Sequence, residues 1–177
     1  ILLGRTSDAK HISFIEDTAV PPANLPEYVA DFQALLDEQD TFASFYAHAG
    51  PGCLHIRPLV DTKSVEGIER MEAIADGATA LVCEYGGSVS GEHGDGRARS
   101  QWNRKLYGDD VWDLFYRLKT TFDPDWLLNP GQVVGADDAA IEAGTAPPRA
   151  RTVEMTENLR FDSEYEFEFE FDPELSW

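Results

Sequence analysis

Three of the four histidines lie in two short glycine-rich segments, His48 and His55 in AHAGPGCLHIRP and His93 in SGEHGDG. Seven positions separate His48 from His55, which on one regular strand would send the two rings to opposite faces. The Gly50-Pro51-Gly52 break removes that objection, because a turn there can bring both imidazoles to one point, and Glu92 can add a carboxylate. Two histidines and one carboxylate leave coordination positions open, the arrangement of a catalytic zinc, manganese or iron site rather than a closed structural one. Glu92 and His93 are sequential and reach one pocket only if the backbone bends sharply, a freedom that Gly91, Gly94 and Gly96 supply. If Glu92 holds a metal, His93 beside it stays free as a general base, since imidazole titrates nearest neutrality. Arg57 follows His55 by two, hence on the same strand face, and offers a planar fork to a substrate carboxylate. The plainer readings are loop histidines satisfied by ordinary hydrogen bonds and an arginine in a surface ion pair, and spacing alone leaves both sets open. GEHGDG is not a phosphate loop, for no Lys-Ser/Thr follows it and no strand-to-helix fingerprint surrounds it.

Positioning these residues requires a framework, and the apolar periodicity supplies one. His11 to Glu16 reads as a short strand. Pro26 suits a first helical turn, and Tyr28, Val29, Phe32, Leu35 and Leu36 recur at three- and four-residue spacing on one helix face. Phe42–Ala47 and Leu54–Leu59 read as strands that pair as a hairpin. Ser64 can cap a long helix with the stripe Val65, Ile68, Met71, Ala75, Ala78 and Val82, ending before Gly86-Gly87. Ser88–Ser90 is a brief strand. Asp109 or Asp110 can cap a third helix carrying Val111, Leu114, Phe115, Leu118 and Phe122, stopped by Pro124. Trp102, Trp112, Tyr116 and Trp126 read as core and interface. The order β-α-β-β-α-β predicts an α+β fold, a ferredoxin-like antiparallel sheet with helices packed on one face. We expect this domain to occupy residues 1–135. Residues 136–177 begin as a small-residue, proline-containing linker; within them EYEFEFEF (Glu164–Phe171) alternates acid and aromatic as a strand would, leading toward a further domain.

Four segments, IEDTAVPPANLPEYV, AHAGPGCLHIRP, GGSVSGEHGDG and FDPDWLLNPGQVV, resemble in that order the C-terminal cap domain of FAD-linked oxidases. These are vanillyl-alcohol-oxidase-type flavoenzymes that include D-lactate, glycolate and D-2-hydroxyglutarate dehydrogenases. The resemblance spans residues 10–135 and is nearest to flavoproteins fused to a C-terminal iron-sulfur oxidoreductase. It implies FAD, bound mainly by another domain of the same chain, a divalent metal, an iron-sulfur cluster in a neighbouring domain, and a small 2-hydroxyacid substrate. By the resemblance His48, His55 and Glu92 match the metal ligands, and His93 matches the base that takes the hydroxyl proton while hydride passes to flavin. Asn129 matches a position close to the flavin, and Arg57 one where a polar or basic residue meets substrate. The family's usual GDGN between the two histidines is GPGC here, so Pro51 and Cys53 replace an Asp and an Asn. A non-catalytic module that docks other domains is the alternative.

The 177 residues carry 33 acidic and 14 basic side chains, a net charge of −19, and the basic ones are ten Arg and four Lys. Such a surface cannot release counterions from a polyanion, so nucleic acid is excluded as a partner, and anionic membrane surfaces are disfavoured on the same ground. No stretch approaches the roughly 18 apolar residues of a membrane span. Cys53 and Cys83 form no CxxC pair and imply free thiols in a reducing compartment. The first residues, ILLGRTSDAK, have no signal-peptide core and no initiator Met, and the chain reads as a piece of a larger protein. The acidity is spread, −13 over residues 1–147 and −6 over residues 148–177. Self-repulsion of that size suits a cytoplasmic protein of a salt-accumulating organism. We therefore expect the unfolding midpoint to rise between dilute buffer and molar KCl; a flat or falling midpoint would remove the halophilic reading.

Overall fold

Leu54, Ile56 and Val60 alternate with Cys53, His55 and Arg57, and the strand they form runs through the middle of the sheet. The computed structural model describes residues 7–134. Its elements are β1 (Lys10–His11), β2 (Thr18–Ala19), α1 (Leu25–Glu38), β3 (Ala43–His48), β4 (Cys53–Val60), α2 (Val65–Glu84), the single-turn α3 (Gly96–Arg99) and α4 (Asn103–Phe122), with 3-10 turns at Pro22–Asn24 and Ser100–Trp102. β3 pairs antiparallel with one edge of β4 from Ala43↔Pro58 to His48↔Cys53, while β1 and β2 pair in succession with the other edge. Ser88 exchanges backbone hydrogen bonds with Ala19 (2.8 and 2.9 Å), adding residues 88–90 as a fourth ribbon beyond β2. The result is the α+β, ferredoxin-like arrangement expected, with the last strand reduced to isolated bridges.

The alternation along β4 gives the sheet two chemically different faces. Leu54, Ile56 and Val60 are buried against Tyr28, Phe32 and Leu36 of α1 and Ile74, Ala75, Ala78 and Val82 of α2, in one continuous core. Each large side chain in it contributes about 1.5–3 kcal/mol by leaving water. Cys53, His55 and Arg57 occupy the opposite face, away from α1 and α2. Helix α1 begins as expected, with proline in its first turn, and α2 is capped by Ser64, whose hydroxyl accepts from the Gly67 amide at 3.0 Å.

Several elements differ from the sequence expectation. The strand over His11–Glu16 is broken: β1 and β2 lie on either side of residues 12–17. From Lys10 to Thr18 the chain advances eight residues while β4 advances six, Val60 to Leu54, so the register slips by two. The slack is a bulge, and Glu16 and Asp17 stand at its end. β3 starts one residue later than expected and includes His48. In α2, Val65 is exposed, while Ile74 and Thr79, outside the expected stripe, are buried. Helix α4 starts at Asn103 rather than at Asp109, with Gly108 breaking the helical path at φ 77°, and Asp109 pairs with Arg104 at 2.6 Å. Its expected stripe is not the buried one: Val111, Leu114, Leu118 and Phe122 are exposed, and Trp112 packs with Trp126 and Val134 in a second small cluster, joined by Phe115 and Tyr116. The expected linker and the alternating strand Glu164–Phe171 lie outside the described residues. No helix among the described residues is long and apolar enough to cross a membrane.

Candidate active site

The β3–β4 hairpin solves the spacing problem of His48 and His55. Paired residues of an antiparallel ladder share a face, so His48↔Cys53 and Tyr46↔His55 place both imidazoles on the face away from the helices. The turn between them closes through Gly52, whose amide donates to the Ala49 carbonyl at 3.1 Å while its own carbonyl accepts from Val20 at 3.0 Å. Gly52 has φ +83°, and a Cβ there would lie 1.9 Å from the Val20 carbonyl oxygen, so only glycine fits. The two histidine rings meet edge to face with centroids 5.2 Å apart.

The second glycine-rich segment reaches the same point because Asp17 holds it there. The Asp17 carboxylate is wholly buried and accepts from the amides of Glu92 (3.0 Å) and His93 (2.7 Å) and from the Ser90 hydroxyl (2.7 Å) on one oxygen, and from the Cys53 thiol (3.4 Å) on the other. Burial opposes its ionisation, but these donors outweigh burial and bring its pKa down to about 2. The same burial, with Asp17 beside it, pushes the Cys53 thiol up to about 11, so it serves as a donor and not as a nucleophile. Cys53 and Cys83 are both unpaired.

Glu16 organises the imidazoles. Its backbone carbonyl lies 3.2 Å from His55 Nδ1, and its carboxylate Oε1 lies 2.9 Å from His93 Nδ1, while Oε2 accepts from Arg57 Nε at 3.2 Å and has Arg57 Nη2 in ion-pair range, also at 3.2 Å. A carbonyl and a carboxylate only accept, so both Nδ1 atoms carry a proton, and in a neutral ring Nε2 is then the atom left with the lone pair. These rings stack at 5.1 Å. Their Nε2 atoms face the same oxygen, Glu92 Oε1, at 3.2 Å (His55) and 3.3 Å (His93), and His48 Nε2 lies 3.5 Å from it. Three imidazole nitrogens this close to one carboxylate oxygen require positive charge among them, from protons on the rings or from a bound cation. Donor atoms bound to one ion at about 2.0–2.2 Å in tetrahedral directions stand about 3.3–3.6 Å apart, close to the 3.2–3.5 Å at which the Nε2 atoms of His55, His93 and His48 stand from Glu92 Oε1. Asp17, His55, Glu92 and His93 also offer ligand atoms within 4.8 Å of one another. The Asp17 oxygens are already occupied by four donors, which marks it as the anchor of the loop rather than a ligand.

The remaining candidates are placed as follows. Arg57 lies on the site face, its fork engaged by Glu16 and its guanidinium over the Tyr46 ring at 5.5 Å. Asn129 stands in an exposed turn after α4, with φ 44°. His11, the fourth histidine, is buried and bonds the Arg57 carbonyl at 2.8 Å, a structural role. Sequence reasoning passed over Glu16, Asp17 and Cys53. The signal was present in HISFIED, where two carboxylates close an apolar run, because carboxylates drawn into an interior need designated partners.

Residues 2–133 match the family described as FAD linked oxidases, C-terminal domain. The chain belongs to this family. Within its reach, the chain is 40% identical over 133 residues to a D-2-hydroxyglutarate dehydrogenase of Haemophilus influenzae and 38% identical over 133 residues to one of Escherichia coli; the match covers 75% of this chain and 13% of each of those proteins. It is 34% identical over 116 residues to the glycolate oxidase subunit GlcD of Escherichia coli, covering 66% of this chain and 23% of that subunit. The chain thus spans a small fraction of the length of these relatives. As an FAD-linked oxidase C-terminal domain, it is part of an oxidoreductase family whose cofactor is FAD.

The role of Asp17 as loop anchor can be checked by stability. Asp17→Asn leaves the amides of Glu92 and His93 without an anionic acceptor, and we expect a loss of about 1–3 kcal/mol at neutral pH. Because the folded pKa of Asp17 lies below its ordinary value, its contribution is fully present above about pH 4 and disappears as the pH falls through about 2. Thermal melts of the two proteins should converge over that window.

Proposed function

We propose that this chain is the substrate- and metal-holding part of an FAD-dependent D-2-hydroxyacid dehydrogenase of the D-lactate, glycolate or D-2-hydroxyglutarate class. The observation that carries this reading is the gathering of three imidazole nitrogens within 3.5 Å of Glu92 Oε1, a donor set that suits a cation with a base beside it. His48, His55 and Glu92 would hold zinc, manganese or iron. A metal held there would supply Lewis-acid polarisation of the substrate's 2-hydroxyl and carboxylate, and FAD bound by another domain would supply the acceptor for the hydride leaving C2. His93 Nε2 takes the hydroxyl proton, so the substrate leaves as the 2-oxoacid. Arg57, held beside His93 by Glu16, adds the positive charge that draws the substrate carboxylate to the site face. Asn129, in the turn after α4, would meet the flavin. The FAD-binding domain, and an iron-sulfur domain that would carry electrons onward, belong to other parts of the protein, so the described residues alone should not turn over.

The docking-module alternative draws on the exposed apolar residues of α4 and the turn after it, Leu114, Leu118, Phe122, Leu127 and Leu128, which suit a contact with another domain. That contact is compatible with catalysis, and the state of the histidine cluster separates the two readings.

Two measurements test the proposal. Elemental analysis of the purified protein should find about one zinc, manganese or iron per chain, absent in His48→Ala. Metal retained in His48→Ala would remove that residue from the ligand set, and no metal in either protein would favour the docking module. In the full-length flavoprotein, His93→Ala should keep its FAD and slow anaerobic flavin reduction by D-lactate, glycolate or D-2-hydroxyglutarate about 10²–10⁴-fold. Reduction at the wild-type rate would defeat the assignment of His93.

A further inference from the structure

Glu16 is a nearly buried carboxylate, 7% exposed, that neither binds the cation in the reading above nor touches the substrate. Its position is over-determined. The Glu16 carbonyl accepts from the Ile56 amide and from His55 Nδ1, each at 3.2 Å, which pins its backbone to β4. Arg57 donates from Nε to Oε2 at 3.2 Å, with Nη2 in ion-pair range at 3.2 Å, and Oε1 is left directed at His93 Nδ1, 2.9 Å away. The amide of His93 is meanwhile held by Asp17 next door, so ring and backbone of His93 are fixed by two consecutive residues.

We propose that Glu16 is the positioning residue of the site: it holds His93 in the Nδ1–H tautomer, so that Nε2 meets the substrate hydroxyl as a lone pair, and it ties that imidazole to Arg57. The proposal rests on His93 being the base. The other tautomer would turn a ring lone pair against Glu16 Oε1 at 2.9 Å, two acceptors in contact, and would spend the proton-accepting nitrogen on carrying a hydrogen. One side chain thereby couples the group that takes the proton to the cation that receives the substrate carboxylate, the logic of a base oriented by a third, buried group.

Glu16→Gln in the full-length flavoprotein tests this, since it preserves shape. With its amide oxygen kept on Arg57, Gln presents N–H to His93 Nδ1 and reverses the tautomer. We expect the limiting rate of flavin reduction to fall about 10²–10⁴-fold, with FAD and metal content retained and KM for the hydroxyacid little changed. Glu16→Asp, which keeps the acceptor but withdraws it, should recover part of the rate. A readout without turnover is the ¹⁵N spectrum of histidine-labelled protein: His93 should show a protonated Nδ1 and a bare Nε2 in the wild type and the reverse in Glu16→Gln. A wild-type limiting rate in Glu16→Gln, a defect confined to KM, or an unchanged His93 tautomer would overturn the proposal. If His93→Ala proves active, the reading of His93 as base fails by itself, and the nitrogen shifts still report whether Glu16 sets the tautomer.

Discussion

Two adjacent carboxylates drawn into a break in the sheet are the constraint on which the rest of the site depends. Glu16 and Asp17 stand where the first strand slips by two residues against β4, and neither can remain there without partners, because an unpaired buried carboxylate costs several kcal/mol. Asp17 takes its partners from the loop after Ser88–Ser90, and in doing so carries Glu92 and His93 to the hairpin. Glu16 takes its partners from β4 and from His93, and in doing so orients two imidazoles and a guanidinium. The burial of these two groups and the assembly of the site are one event.

The consequence is a site in which the lone pairs are arranged before any ligand arrives. The tautomers of His55 and His93 follow from what their Nδ1 atoms face, a carbonyl in one case and a carboxylate in the other, and the opposite nitrogens converge on Glu92. Preorganisation of this kind avoids reordering polar groups during the reaction and gives electrostatic effects their full value in a partly dry pocket. The Pro51 and Cys53 that replace the commoner Asp and Asn of the hairpin are accommodated, with Pro51 in the turn and the Cys53 thiol donating to Asp17.

The two faces of the sheet divide the labour. One carries the apolar residues of β4 against α1 and α2 and supplies stability; the other carries the polar residues of the same strand and supplies chemistry. Helix α4 joins the apolar core only at its start, where Leu106 packs against it and Lys105 pairs with Asp76 of α2. Its aromatic residues close a small cluster of their own with Trp126 and Val134, while Leu114, Leu118 and Phe122 point outward, consistent with a domain that matches only 13–23% of the length of its relatives.

The sequence by itself determined the α+β class, the hairpin, the two long helices facing the sheet, and the residue types of the site, because these follow from local periodicity and from glycine-rich segments crowded with histidine. It also contained the resemblance that named the family. It did not reveal the slip between β1 and β2, the exposed stripe of α4, or the parts played by Glu16, Asp17 and Cys53. A period reports which residues share a face, not whether another element will cover that face, and for α4 no described element does. The pairing of a carboxylate is set by donors that lie more than 70 residues away in sequence, the Ser90 hydroxyl and the Glu92 and His93 amides. Only the folded chain brings those donors within 3 Å, and so only the tertiary structure decided which carboxylate anchors the loop, which contacts His93 Nδ1 and which faces the three imidazoles.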